Sequence, residues 1–205
     1  MELVVRPSKT QLERIKRIAS ESFADDDLFA SFGTGRHRHE MVARYMDCYV
    51  DFVVRQKVLW ANDGFDGFVA LLESHSERFL PTTRMLRRLR RTMPEEEYGD
   101  FLAYGEEISN DSDSYKQRPY LEMLMLCVDP ERRGMGLGKE LVRFSQSKSA
   151  ETGLPLAVDT DMPGNAQMYQ HLGCYLVGTR TGSNGITRYN LVWYPPDLVS
   201  ELPAG

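Results

Sequence analysis

Apolar residues recur along this chain with two periods, and the alternation between them outlines its elements. Residues 3–6 form a short apolar run closed by Pro7, which predicts a first strand. Ser8 is placed to cap a helix in which Leu12, Ile15, Ile18, Ala19 and Phe23 fall at helical spacing, and Asp25, Asp26 and Asp27 break it. A second helix is predicted over 38–54, with Met41, Tyr45, Tyr49 and Phe52 along one side. Two strand-like runs follow at 58–61 and 65–72, joined as a hairpin by Asn62-Asp63-Gly64. The stretch 74–119 differs in character: an Arg-rich helical segment, an acidic segment opened by Pro94, then a polar stretch over 109–117. It reads as a helical insertion with a mobile end inside one domain spanning 1–205. From Tyr120 the order is strand, Gly-rich turn, helix, strand, short helix and hairpin. The strands are expected at 120–128, 154–159, 174–180 and 187–194, the last two joined by Gly182-Ser183-Asn184-Gly185. The tail over 196–205 is expected to be loose. No internal repeat is present.

The turn after the strand at 120–128 carries the strongest chemical signal. Val128-Asp129-Pro130-Glu131-Arg132-Arg133-Gly134-Met135-Gly136-Leu137-Gly138-Lys139 leaves an apolar strand and opens a helix. Glycines there let the backbone approach a ligand closely, and the unpaired amides of a helix start suit phosphate or pyrophosphate. A nucleotide-binding loop ending in Gly-Lys-Ser/Thr fails, because Arg133 and Glu140 occupy positions that it assigns to Gly and Ser/Thr. A dinucleotide fingerprint fails too, because Lys139 or Leu141 stands where its third glycine belongs. The pattern [Gln/Arg]-x-x-Gly-x-[Gly/Ala] is met by Arg133 to Gly138. Three alternate glycines at a helix start cost helix stability, which argues for a ligand rather than a bare turn.

With this turn the sequence resembles the GNAT superfamily of N-acetyltransferases, most specifically from about Tyr120 to Tyr194. The resemblance implies an α/β (α+β) fold: a twisted, mixed, mostly antiparallel sheet of about six to seven strands flanked by helices, with the helical insertion between the third and fourth strands. It implies acetyl-CoA as cosubstrate and no metal. The pyrophosphate would lie on Arg133, Gly134, Met135, Gly136, Leu137, Gly138 and Lys139, largely through backbone amides. The preceding strand (Leu126, Cys127 and Val128) would pair its backbone with the pantetheine arm and splay from its neighbour to admit it. A second block, Pro163-Gly164-Asn165-Ala166-Gln167-Met168-Tyr169-Gln170-His171-Leu172-Gly173-Cys174, is similar to the family's Asn-x-x-x-Tyr-x-x-Leu-Gly-Phe. By that resemblance Asn165 lies near the cofactor and Tyr169 near the leaving sulfur. Cys174 replaces the usual Phe, which affects packing more than chemistry, although a thiol so close to the cofactor could be reactive. The Pro-x-Asn-x-x-x-Tyr block and the insertion are most similar to the puromycin N-acetyltransferase-like branch.

Acetyl transfer to an amine needs a neutral nucleophile, stabilisation of the acyl oxygen and a proton for the departing thiolate. Tyr169 is the candidate general acid. Glu122 is the candidate general base: strand alternation puts it with Leu124, Leu126 and Val128, opposite Met123, Met125 and Cys127, where a carboxylate in an apolar run is costly unless paired or functional. A glutamate at the strand's exposed start, or one paired with an arginine, fits the same pattern equally well. The Val128 amide is the oxyanion donor by family analogy. Asp25 to Asp27 suit a helix-ending turn better than an amine-attracting cluster. His37 and His39 read as a solvated basic segment, and His171 as pointing elsewhere. His75 reads as a loop residue, and Arg84 to Arg91 as a solvated face opposed by Glu95 to Glu97.

The bulk numbers narrow the reading. The chain has 205 residues, 41% apolar and 27% charged, which suits a single soluble domain. A net charge of −5 argues against nucleic acid and leaves room for a cationic substrate. Cys48, Cys127 and Cys174 make neither a disulfide framework nor a zinc motif, so a reducing cytoplasm is expected. The start of the chain lacks an apolar signal core, and no run approaches a membrane span. The sequence therefore predicts acetyl transfer from acetyl-CoA to a primary amine of a small molecule, directly in a ternary complex, by a monomer or homodimer. A protein or peptide acetyltransferase and a non-catalytic acyl-CoA sensor are the alternatives.

Overall fold

The computed structural model describes residues 1–74, 76, 79–109 and 113–199. Helix α1 (Lys9–Phe23) starts where expected: the Ser8 hydroxyl accepts from the Gln11 amide at 3.2 Å, and Gln11 Oε1 accepts from the Ser8 amide at 2.8 Å. A 3₁₀ turn (Asp27–Phe32) leads to α2 (Gly35–Gln56), which stops at Lys57 in the left-handed region. Strands β1 (Glu2–Leu3), β2 (Leu59–Ala61) and β3 (Gly67–Glu73) run antiparallel in register. The β2–β3 turn is longer than Asn62-Asp63-Gly64, because Asn62 Oδ1 accepts from the amides of Asp66 and Gly67 and extends the loop.

Helices α3 (Phe79–Thr92) and α4 (Glu95–Glu107) occupy the stretch before β4 (Leu121–Val128). Then come α5 (Leu137–Thr152), β5 (Leu156–Thr160), α6 (Pro163–His171), β6 (Tyr175–Thr181) and β7 (Thr187–Trp193). A short helix, α7 (Pro196–Val199), replaces the first part of the expected loose tail. The seven strands form one sheet in the order β1-β2-β3-β4-β5-β7-β6, antiparallel except for β4 beside β5. One face packs on α1 and α2 through Phe68, Ala70, Met125 and Cys127. The other packs on α5 and α6 through Val69, Leu71, Met123, Val158 and Leu191. Among the described residues no helix is long and apolar enough to cross a membrane.

The helices between β3 and β4 dock on this frame. Phe101 of α4 stacks on Phe29 at 5.7 Å between ring centroids and meets Tyr45 of α2 at 5.0 Å. Arg88 of α3 pairs with Asp47 and Asp51 of α2, which Lys16 of α1 also holds at 2.7 Å each. The arginine run is therefore anchored by α2 carboxylates, not by Glu95 to Glu97, while Arg84, Arg87, Arg90 and Arg91 face solvent.

Candidate active site

Two departures from a regular sheet open a cleft. Strands β4 and β5 pair only at Leu121↔Leu156 and Glu122↔Ala157, so beyond Glu122 β4 loses its neighbour on that side. On its other side the register with β3 shifts: Ala70 faces Met125 and Leu71 faces Met123, which leaves Leu124 as an extra, bulged residue. The bulge overturns the expected alternation. Leu124, Met125 and Cys127 lie on the α1/α2 side, with Met123, Leu126 and Val128 on the other, so Glu122 does not share a face with Leu126 and Val128.

Backbone direction follows from the same ladder. The Asp129 amide donates to the Asp66 carbonyl at 2.7 Å. Antiparallel alternation then turns the peptide groups of Cys127 toward β3 and those of Leu126 and Val128 toward the edge that β5 has left. Ser22 takes up the Val128 carbonyl at 3.2 Å.

A cavity of about 260 Å³ fills the cleft, lined along β4 from Glu122 to Leu126 and closed by Asp26, Asp159, Asp161, Asn165, Tyr169 and Arg188. Asn165 and Tyr169, one helical turn apart on α6, both reach it. Tyr169 is 7% exposed. Its hydroxyl lies 3.9 Å from Met123 Sδ, and desolvation, reinforced by Cys174, Asp26 and Cys127, pushes its pKa well up. It therefore stays protonated. Cys174 is buried, and desolvation pushes its thiol up to about 12, which fits the packing role expected of it better than a reactive one. Cys127 is likewise buried, with its pKa raised by desolvation.

Glu122 is paired, with a lysine and not an arginine: Lys116 Nζ lies 3.4 Å away. Asp26 caps the 3₁₀ turn by accepting from the Leu28 amide at 3.0 Å, and also lines the cavity. Desolvation, with Asp161 and Asp27 adding to it against the Leu28 amide and Arg188, pushes its pKa up to about 6. Among the described residues Asp26 forms no ion pair. Asp161 is buried and held by Arg188 through two bonds of 2.8 Å. Sequence reasoning did not single out Lys116, Asp159, Asp161 or Arg188. The only signal was an Asp-Thr-Asp at strand spacing after an apolar run.

The glycine turn lies at the other end of β4. Asp129 anchors it to α1 through Arg14 at 3.2 Å and Arg17 at 3.1 Å, and its own carboxylate accepts from the Glu131 amide. Gly134 and Gly136 have φ of +79° and +86°, and a Cβ at either would meet nothing within 4 Å. Both conformations favour glycine, and both open on free space. Gly136 caps α5 without any side-chain hydrogen bond, so the first amides of α5, at Leu137, Gly138 and Lys139, are available to an anion. Arg133, Met135 and Lys139 are exposed around it. The Leu137 side chain instead seats the helix on the sheet: a Cβ on Gly67 would come within 2.8 Å of it. An uncapped helix start, two open left-handed glycines and flanking cations fit a pyrophosphate. The bare edge of β4 fits an amide-bearing arm.

Among the described residues no histidine lines this cavity. His37 and His39 are exposed and pair with Glu97 at 3.1 Å and Asp25 at 3.0 Å. His171 Nδ1 lies 2.7 Å from the Gln167 carbonyl, and His75 falls outside the described residues.

The comparisons with known proteins agree with this layout. Similar solved structures include an acetyltransferase of Corynebacterium glutamicum named with histone acetyltransferase HPA2 (14% identity, 96% of this chain and 97% of that one, TM-score 0.61). A Drosophila melanogaster polyamine N-acetyltransferase (16%, 94% and 100%, TM-score 0.58) and a mosquito arylalkylamine N-acetyltransferase like 5b (16%, 94% and 98%, TM-score 0.59) share the fold. No curated protein sequence matches the chain. The family model described as Acetyltransferase (GNAT) family matches residues 67–174, from β3 through the glycine turn to the end of the second motif block. The chain belongs to the GNAT family and is an acetyl-transferring enzyme.

Proposed function

We propose that this enzyme moves the acetyl group of acetyl-CoA to a primary amine of a small molecule, directly within a ternary complex, and that 1–205 form one domain with 74–119 as an insertion. The observation that carries the reading is the small acidic cavity joined to the glycine turn by the bare edge of β4. Bound acetyl-CoA would supply an activated acyl group and a thiolate leaving group. Arg133, Gly134, Met135, Gly136, Leu137, Gly138 and Lys139 hold the pyrophosphate, and the peptide edge at Leu126 and Val128 holds the pantetheine arm. The cavity lining along β4 ends at Leu126 and does not include Val128. The Leu126 amide is therefore the better placed donor to an acyl oxygen.

Asp26 takes the proton of the incoming ammonium. A half-buried carboxylate with a value near 6 and no ion-pair partner among the described residues is poised for that work. Glu122, held by Lys116, draws the cation in. Tyr169, kept neutral by its burial, donates a proton to the departing sulfur, and Asn165 stands beside it.

The acceptor is small because the cavity holds only about 260 Å³. Glu107 accepts from the Ser183 amide at 2.6 Å and its hydroxyl at 3.1 Å, and Asp113 from Arg180 at 2.9 Å, so the insertion is tied across the β6–β7 hairpin. A peptide would have to part these contacts. Affinity with the puromycin N-acetyltransferase-like branch rests on the Pro163 to Tyr169 block. The test is product mass spectrometry with alkyl and aryl-alkyl amines beside lysine peptides. Acetylated small amines are expected, and acetylated peptide alone would overturn the reading.

A further inference from the structure

Helix α3 turns one face to α2 and leaves the other uncovered. On the packed face Met85 and Leu89 join the core, Gln56 Nε2 donates to the Thr82 hydroxyl at 3.4 Å, and Arg88 pairs with Asp47 and Asp51. The opposite face follows from helical spacing. Phe79, Thr83, Leu86 and Arg90 form one row, and Leu80, Arg84, Arg87 and Arg91 form the next. Phe79 and Leu80 are 79% and 78% exposed, the most of any described large apolar residue. With Pro81 they line a groove of about 710 Å³, whose other walls include Arg55, Arg84 and Arg87.

Single exposed apolar residues are ordinary, but two adjacent ones standing almost wholly in water beside a groove mark a contact surface. The charge around them indicates the partner. Helix α3 holds five arginines and no acidic residue, in a chain whose net charge is −5. Arg88 is taken up by α2. Arg84, Arg87, Arg90 and Arg91 are exposed, as is Arg55 at the end of α2, and among the described residues none of these five forms an ion pair. Apolar side chains projecting beside unpaired cations match a surface that is apolar beneath an anionic layer, which is a bilayer bearing acidic headgroups. The arginines are strung along two turns of one helix face and so present their charge to a plane, where a single acidic side chain would engage only one of them. We propose that the exposed face of α3 docks on anionic membrane surfaces, with Phe79 and Leu80 entering the acyl boundary and Arg55, Arg84, Arg87 and Arg91 holding lipid phosphates. The protein then lies on the bilayer without crossing it. The contact is separate from the acetyl-transfer site and does not rest on the small-amine reading.

The experiment is co-sedimentation of the full-length protein with vesicles of phosphatidylcholine alone and of equal parts phosphatidylcholine and phosphatidylglycerol. Wild type is expected to bind the mixed vesicles at least about tenfold more tightly than the neutral ones. It should leave them at about 1 M salt, where charges are screened within about 3 Å. Each arginine near the surface contributes about fivefold, so Arg84→Gln with Arg87→Gln should weaken binding by about twenty-fivefold. Phe79→Ser with Leu80→Ser should weaken it by about tenfold or more. All four side chains are solvent-facing, and thermal melts check that both variants fold. If either does not, the wild-type lipid preference and its loss in salt still decide. Wild type that ignores the mixed vesicles or binds both kinds equally overturns the inference, as do folded variants that bind like wild type. A dimer seen by light scattering without vesicles, and split by Phe79→Ser with Leu80→Ser, would give the face to a second copy. Tighter binding to poly-glutamate or to an RNA oligonucleotide than to the mixed vesicles would give it to an acidic protein or to nucleic acid. Each of these outcomes also overturns the inference.

Discussion

Aspartate at position 136 would bring two penalties that the structure separates. Gly136 has φ of +86°, so any L side chain there carries backbone strain, about 1–2 kcal/mol. That strain falls mostly on the fold or the turn. The added carboxylate acts on binding instead. It would stand at an uncapped helix start among amides that suit an anion. Two like charges about 4 Å apart repel by about 1 kcal/mol in water and about 4 kcal/mol at an effective dielectric of about 20. The turn is exposed, so the lower half of that range applies, about 1–2 kcal/mol, or roughly a five- to thirtyfold weaker Kd for coenzyme A. Gly136→Ala carries the strain without the charge. Gly138→Ala carries neither, because its Cβ meets only Val128 Cγ2 at 3.9 Å. Titration calorimetry with coenzyme A at near-physiological salt, beside thermal melts, reads both terms. Gly136→Asp should weaken binding by about tenfold or more and Gly136→Ala clearly less, with Gly138→Ala within about twofold of wild type. A folded Gly136→Asp protein with wild-type affinity would refute the assignment of the turn.

Other substitutions address the proton chemistry. Tyr169→Phe should lower turnover by roughly ten- to a hundredfold with coenzyme A affinity kept, and unchanged turnover would remove its acid role. Asp26→Asn should lower kcat/KM at neutral pH by on the order of a hundredfold and abolish the acid limb near pH 6, while Glu122→Gln leaves that limb in place. The same variant has a stability signature. The folded value of Asp26, about 6, lies above its ordinary 3.8, so the stability this carboxyl contributes is full below 3.8 and lost as pH rises through 6. Asparagine avoids that loss, so the variant should be the more stable protein at pH 8, by up to about 3 kcal/mol, and gain nothing below pH 3.8. Equal stabilities at pH 8 would contradict the buried-carboxylate account.

The fold was legible because its signals are local. Ser8 with Gln11, the helical spacing of Ile15 and Ile18, and the glycines between β4 and α5 each fix nearby backbone without help from distant residues. The glycine turn proposed to hold the cofactor stood out for the same reason, since Gly134 to Lys139 are consecutive. The acceptor end was not. Asp26, Lys116, Asp159 and Arg188 come from four separate segments, and only the splay of β4 from β5 brings them together. Asp26 in particular carries two roles, capping a turn and lining the cavity, and the sequence favours the first over the second. The bulge at Leu124 was invisible as well: one extra residue in an apolar run changes no pattern, yet it reverses which side chains accompany Glu122. The identity of Glu122's partner likewise depended on a polar stretch with no periodicity.

The most direct measurement is the amine dependence of thiol release from acetyl-CoA, with the acetylated product identified in the same reaction. The account predicts release that requires a primary amine and matches N-acetylated product one for one. Coenzyme A binding without release across alkyl, aryl-alkyl and polar amines would contradict it and leave an acyl-CoA-binding module in its place.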